Sequence, residues 1–308
     1  MSALVFCAVV YLLTYYLSSL SQQLTSDKGK NGHIDTATYT EHTLVLYAFY
    51  ESEERKANLQ FFIDFAIKKN NSNIDYVIIA NGFSCTVEIP TMYNIYVIRR
   101  ENTGFDACAW KQALAKMKKE KGRYWYNYVF FLNASVRGPF LPGYAEDQNW
   151  ISLFTKYLTN DIKLVGTSIF CPDPRSPNKT LHLQSMFLAT DQAGLTIVEP
   201  ILQCGHNKEF AINNVEMKLT QAFLKNGYNI ASLLKRWQGH DFRDKAKTQE
   251  MCEHDITGKP HGDPYFHNLY FSNVDISPFE VIFFKTNRGV NDDLVKAYTK
   301  MMYEKMQN

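Results

Sequence analysis

The sequence predicts an α/β protein, a mostly parallel, twisted sheet flanked by helices. Three observations predict it. Short apolar runs alternate with segments whose apolar residues repeat at three and four, so strands alternate with helices. The runs are rich in β-branched and aromatic residues, as in Thr43–Tyr50 (TLVLYAFY) and Tyr128–Leu132 (YVFFL), which suits buried strands. The second run ends abruptly in Asn133-Ala134-Ser135. That delivers short polar side chains to the sheet's carboxyl edge, where open α/β sheets bind ligands.

Each element follows from its pattern. Thr43–Tyr50 is the first strand. Glu51–Lys69 is a helix, with Leu59, Phe62, Ile63, Ala66 and Ile67 on one face. Tyr76–Ala80 and Asn94–Ile98 are further strands. Glu101–Gly104 is a loop ending in Gly. A helix follows with Asp106 at its N-cap, an apolar stripe of Ala109, Trp110, Ala113, Leu114 and Met117, and lysines 116, 118, 119 and 121 at its end. After Tyr128–Leu132 come a helix over Trp150–Asn160, a strand over Lys163–Thr167 and a Pro-rich loop over Cys171–Lys179. His182–Leu188 alternates at its start, like a strand with one wet face. Glu216–Asn226 is a helix, with Gly227 set to terminate it. Phe279–Phe284 (FEVIFF) reads as a late strand and Asn291–Met306 as an amphipathic closing helix.

Composition sets the limits. The chain has 308 residues, 45% of them hydrophobic, and a net charge of +2. This argues against disorder and against a nucleic-acid-binding surface, which would be strongly basic. Tyr and Phe number 19 and 21, which serves an aromatic core and a sugar-stacking site alike. Six cysteines show no C-x-x-C pair and no zinc spacing. One disulfide in an oxidising lumen is compatible with them, with no readable connectivity. His240, His254, His261 and His267 fit no common ligand set and read as solvated loop residues.

Residues 1–26 carry no charged side chain. Ala3–Leu20 is about long enough to cross a bilayer, and membrane anchor, cleavable signal and buried helix all remain open readings. The first gives a transmembrane segment over 1–24, a stem over 25–42, a catalytic domain over 43–290 and a packed closing helix over 291–308. That is the layout of a single-pass type II enzyme facing the Golgi or ER lumen; a secreted protein is the alternative. Lys28 and Lys30 lie on the distal flank, so the positive-inside rule does not support that orientation. Asn70-x-Ser and Asn178-x-Thr are glycosylation sequons. Asn133-x-Ser is a third on paper, placed at the expected site.

Asn102-x-Gly104-Phe105 opening a helix, followed by a strand ending Phe131-Leu132-Asn133-x-Ser135, resembles the nucleotide-sugar half of GT-A glycosyltransferases. The form LNASVRGPF, with His182-x-Gln184-Ser185 further on, is similar to the rhamnan-synthesis-like glycosyltransferases of bacterial, algal, fungal and large-virus polysaccharide pathways. The resemblance spans roughly residues 43–236. It implies a Rossmann-like GT-A fold, a nucleotide-sugar donor and a glycan or polysaccharide acceptor. It also implies donor contacts from Tyr50, Glu51, Asn81, Asn102, Asp106, Asn133 and Ser135, and sugar contacts from His182, Gln184 and Ser185.

Many GT-A relatives hold a divalent metal with Asp-x-Asp where this chain has Asn133-Ala134-Ser135. Neutral oxygens bind hard cations poorly. Either Mn²⁺ or Mg²⁺ is bound mainly through the donor diphosphate, with Ser135 at most a weak ligand, or the chemistry uses no metal. In the second case Arg137, Lys179 or a basic residue from the tail neutralises the phosphates. Inverting relatives often carry an acidic general base at a helix start before Gly-Tyr. Glu216 in VEMKLTQAFLKNGY takes that place, with Asp191 in reserve. Structural readings stand beside these: an N-cap for Asp106, an Asn-Gly turn for Asn81, a strand face for His182 and Gln184, and a first-turn Glu for Glu216. The function expected is glycosyl transfer with inversion; the alternative is a non-catalytic carbohydrate-binding relative.

Overall fold

A computed structural model of the chain describes residues 41–68, 71–122, 125–172, 180–253, 262–266, 270 and 274–307. The apolar segment 3–20, the stem up to residue 40, Asn70, Asn178, Lys179, His254, His261 and His267 lie outside them. Among the described residues no helix is long and apolar enough to cross a membrane.

In chain order, β1 is Thr43–Tyr50, α1 Glu53–Ala66, β2 Ile74–Asn81, β3 Ile95–Arg100, α2 Phe105–Lys121, β4 Tyr128–Asn133 and β5 Val136–Arg137. Then come α3 Ser152–Thr155, β6 Ile162–Gly166, β7 Ile169–Phe170, β8 His182–Leu183, β9 Phe187–Asp191, α4 Gln192–Ile201 and α5 Lys208–Ala211. The remainder are α6 Met217–Lys225, β10 Asn229–Ser232, α7 Lys245–Glu253, α8 Pro278–Val281, β11 Phe284–Lys285 and α9 Asp292–Gln307.

Seven strands form the central sheet in the order β10-β6-β9-β4-β1-β2-β3. All neighbours are parallel except β9, which runs antiparallel to both β4 and β6. The mostly parallel α/β layout fits a GT-A-like fold. From β1 the chain winds outward to β2 and β3, then returns to place β4 on β1's other side. The order therefore reverses between β1 and β4, and the crevice outside their carboxyl ends is the expected ligand site.

Side-chain alternation builds a core on each face. Phe130 turns to one face, among Trp150, Phe154 and Phe187. Its neighbour Phe131 turns to the other and meets Trp110 of α2 edge-on, whose indole N–H donates to the Leu132 carbonyl at 3.0 Å. The predicted α2 stripe is buried throughout. Helix α1 starts at Ser52, whose hydroxyl accepts from the Arg55 amide at 3.3 Å, with Glu53 and Glu54 in its first turn. Gly227 takes φ +82° just past α6, the left-handed terminator its position predicts.

Several elements differ from expectation. The helix expected over 150–160 is helical only at Ser152–Thr155. His182–Leu188 is not one strand: His182–Leu183 pairs with Ile169–Phe170, and a separate strand, Phe187–Asp191, enters the sheet. Its face is not wet, since His182 and Gln184 are buried. Phe279–Phe284 is not one strand: its first half is helix, because Ser277 caps the Phe279 amide and Pro278 sits at the first helical turn, and only Phe284 enters a strand. His240 is buried rather than solvated. Its Nε2 lies 2.7 Å from the Thr248 hydroxyl, and burial lowers its pKa. Among the described residues the cysteines form two bridges, Cys108–Cys204 and Cys171–Cys252, where one was expected.

Candidate active site

The carboxyl end of β4 is the centre of the site. Asn133 donates from Nδ2 to Asp106 at 2.7 Å, and its Oδ1 accepts from the Ser135 amide at 3.1 Å and hydroxyl at 2.5 Å. Asp106 is not the N-cap of α2. That place belongs to Gly104 at φ +73°, and Asp106 is the second residue of the first turn, its carboxylate bonded by Asn133. Burial pushes its pKa up to about 6, against the Asn133 hydrogen bond and Arg55; nearby Glu216 raises it further and Lys285 opposes.

A β-carbon on Gly104 would stand 2.6 Å from Cys108 Cβ and 3.1 Å from Cys204 Cα. Glycine is thus required by its φ and by the bridge packed against it. Phe105 also takes a positive φ, +58°, and is exposed. A bulky residue there is an outlier of the kind that gathers at functional sites.

The reversed strand β9 brings the next groups. The segment before it runs along the end of β4, where the Asn133 amide donates to the Met186 carbonyl at 3.1 Å. One residue earlier, the Ser185 amide donates to Glu216 Oε1 at 2.7 Å. Glu216 closes a π-helical turn, Ile212–Glu216, that joins α5 to α6. It is therefore not a first-turn Glu favoured by a helix dipole, because helical chain begins earlier, at Lys208. Single π-turns recur at functional sites, where the extra residue re-aims a side chain. Asp106, Asn133, Ser135, Ser185 and Glu216 are thus gathered at one edge.

The same antiparallel strand removes Asp191. It pairs with Tyr128, at the amino end of β4, about 17 Å along the strand from Asn133. There it caps α4 through the Gly194 amide and pairs with Lys163 at 2.5 Å. The reserve base therefore stands at the wrong edge of the sheet.

Tyr50 and Asn102 flank Gly82 at the carboxyl ends of β1 and β2. The Arg55 guanidinium lies 5.4 Å from the exposed Tyr50 ring. Asn81 is buried, donating to the Phe49 carbonyl at 3.1 Å and accepting from Arg100. Glu51 accepts from the Thr86 amide and hydroxyl; burial acts to raise its pKa, but these bonds and Lys56 hold it below the usual range. Gln184 accepts from Ser168 and donates to buried Asp263 at 3.0 Å. The His182 ring stacks on Phe170, with Nδ1 2.6 Å from the Thr180 carbonyl. Asn81, His182 and Gln184 are thus turned inward, supporting the rim rather than forming its surface.

Arg137 faces away from the crevice, donating to Asn58 at 2.9 Å and to Thr299 of α9 at 3.3 Å. Burial lowers its pKa, with Tyr303 and Glu54 opposing. The cations beside the carboxylates are instead Arg55 and Lys285, and Asp263 also acts on Lys285. Sequence reasoning missed all three. Arg55 follows Tyr50 by five residues and Lys285 ends an apolar run, weak signals without the fold.

The residues at the strand end do not fit a metal held by the protein alone. Hard cations want several carboxylate oxygens. Here Asp106 is engaged by Asn133, whose own oxygen is taken by Ser135. Among the described residues no group of three His, Cys, Asp or Glu could hold a metal ion.

No curated protein matches the chain. Among solved structures, the mannosyltransferase PcManGT from Pyrobaculum calidifontis, in complex with GDP-Man and Mn²⁺, matches at 10% identity and a TM-score of 0.39. The match covers 73% of this chain and 65% of that one, a likeness too slight to argue from. The pattern that defines rhamnan synthesis protein F matches residues 76–254. That span is more than half of the sequence and includes the Asp106–Asn133 pair, the His182-to-Ser185 segment and Glu216, so the chain belongs to the rhamnan synthesis protein F family.

Proposed function

We propose that the protein is an inverting glycosyltransferase that moves a sugar from a nucleotide-sugar donor to a glycan or polysaccharide acceptor. One observation carries the reading: the Glu216 carboxylate, fixed by the Ser185 amide at 2.7 Å, shares the strand end with Asp106, Asn133 and Ser135. A base must reach the acceptor hydroxyl and hold its geometry, and a side chain anchored through one oxygen leaves the other for that task. Asp106 accepts from sugar or ribose hydroxyls, Asn133 holds Asp106 in place, and Tyr50 and Asn102 border the nucleoside. An amino-terminal anchor over 3–20, presenting the domain to the Golgi or ER lumen, belongs to the same proposal.

The second reading, a non-catalytic carbohydrate binder, is favoured by Asn133 standing where relatives carry an acid. A screen of radiolabelled nucleotide sugars for hydrolysis or transfer, with and without EDTA, separates the two. Turnover of any donor supports the enzyme, and none with the whole panel supports the binder. Loss of turnover in EDTA would mean that a cation enters with the diphosphate.

A further inference from the structure

We propose that Lys285 is the cation that neutralises the departing nucleoside diphosphate, a role that rests on the glycosyltransferase reading above. The small ribbon β5–β11 delivers it. The Thr286 amide bonds the Ser135 carbonyl at 3.0 Å, and Lys285 lies opposite Val136 while Phe284 lies opposite Arg137. Neighbouring residues of a strand point to opposite faces. Arg137 and Phe284 therefore share one face, the one on which Arg137 meets Asn58 and Thr299. Lys285 projects to the other, within the electrostatic reach of Asp106, Glu216 and Asp263.

The acidic groups around it are each held in place. Asp263 is held by Gln184, the Tyr265 amide and Arg288. Glu216 is held by Ser185 and Asp106 by Asn133. Among the described residues neither the Lys285 ammonium nor that of nearby Lys208 makes a hydrogen bond or ion pair, and of the two Lys208 is exposed while Lys285 is partly buried. Burial, Arg288 and Lys208 act to lower its pKa, and Asp263 and Glu216 to raise it. A partly covered ammonium with no partner, beside the strand end, suits a multiply charged anion that arrives with the substrate. In the transfer step the bond from the anomeric carbon to the diphosphate oxygen breaks and its electron pair stays with that oxygen, to which Lys285 donates a hydrogen bond. The acceptor oxygen forms the new bond to carbon, and its proton passes to Glu216.

The test is calorimetric titration of UDP, GDP and TDP, and of the three parent nucleosides, into wild type, Lys285→Met and Lys285→Arg, all in EDTA. Lys285→Met should weaken diphosphate binding about tenfold to a hundredfold and leave nucleoside binding unchanged, while Lys285→Arg stays near wild type. Wild-type affinity for a diphosphate in Lys285→Met overturns the inference and leaves the glycosyltransferase reading intact. No binding of any diphosphate by wild type, in EDTA or with Mn²⁺ added, overturns that reading itself, and binding that appears only with Mn²⁺ gives the neutralising role to the cation and overturns the inference alone. Should Lys285→Met fail to fold, pH decides. Raising it should weaken diphosphate binding in wild type but not in Lys285→Arg, whose guanidinium stays charged, and parallel profiles reject the role.

Discussion

Asn133 donates its side-chain amide to Asp106 at 2.7 Å while its own carbonyl oxygen accepts from the Ser135 hydroxyl at 2.5 Å. One neutral residue thus orients an acid on one side and a hydroxyl on the other. Replacing Asn133 with Asp would set two carboxylates against each other and drive the pKa of the pair apart.

The Asp106 pKa of about 6 predicts a measurable exchange of stability for function. Between the ordinary carboxyl value of about 3.9 and 6, the folded state holds a proton that the unfolded state has released. Stability therefore falls as pH rises through that window. Asp106→Asn should flatten this slope and add about 1–2 kcal/mol at pH 7.5, while lowering kcat/KM for the donor. Urea unfolding of both proteins from pH 4 to 7.5 checks it, and equal slopes would remove Asp106 as the cause.

Glu216→Gln keeps the hydrogen bond from the Ser185 amide but cannot take a proton. Transfer should drop by about 10²–10⁴-fold with donor affinity unchanged. Single-turnover rates beside equilibrium donor binding make the distinction. Unaltered rates would reject Glu216 as the base.

Gly138 is packed so that an added β-carbon would stand 2.5 Å from the Ile282 carbonyl oxygen and 2.9 Å from Phe283 Cα. Both contacts involve backbone, which cannot swing aside. Gly138→Ala should cost about 1–3 kcal/mol and loosen the β5–β11 pair. The readout is the denaturation midpoint together with hydrogen exchange at the Thr286 amide, which should lose protection.

The Cys108–Cys204 bridge spans 96 residues and ties the first turn of α2 to the loop before α5. In the chain-entropy view, closing a loop of that length contributes about 4–5 kcal/mol. Dithiothreitol, or Cys204→Ala, should lower the Tm markedly, and Asp106 and Glu216 should lose their fixed relation, since Asp106 shares the first turn of α2 with Cys108 and Glu216 lies in the helical segment that follows Cys204. Retention of full donor binding after complete reduction would show that the bridge serves stability alone.

Much of the sheet was legible because its strands are continuous apolar runs. Thr43–Tyr50 matches β1 to the residue, and the stripe from Ala109 to Met117 is buried as read. The FEVIFF run misled, since a short apolar segment has no period that separates strand from helix. Ser277-Pro278 ahead of it carried the helix signal. The rim was readable where motif and fold coincide, at Asn133, Ser135 and Glu216. It was not readable where a side chain's direction depends on distant pairing. The antiparallel sense of β9 sends Asp191 to the far edge, and the pleat of a two-residue ribbon decides that Arg137 turns away and Lys285 turns in.

That ribbon also fixes an order of events during synthesis. The seven-stranded sheet is complete once Ser232 has been made, yet β5 waits for Phe284 and Lys285. A nascent chain can assemble the scaffold and both halves of the carboxylate cluster while still lacking its last rim strand. The nearly finished polypeptide is therefore a folded but incomplete shell, closed only when a late-emerging segment docks against residues made roughly 150 positions earlier.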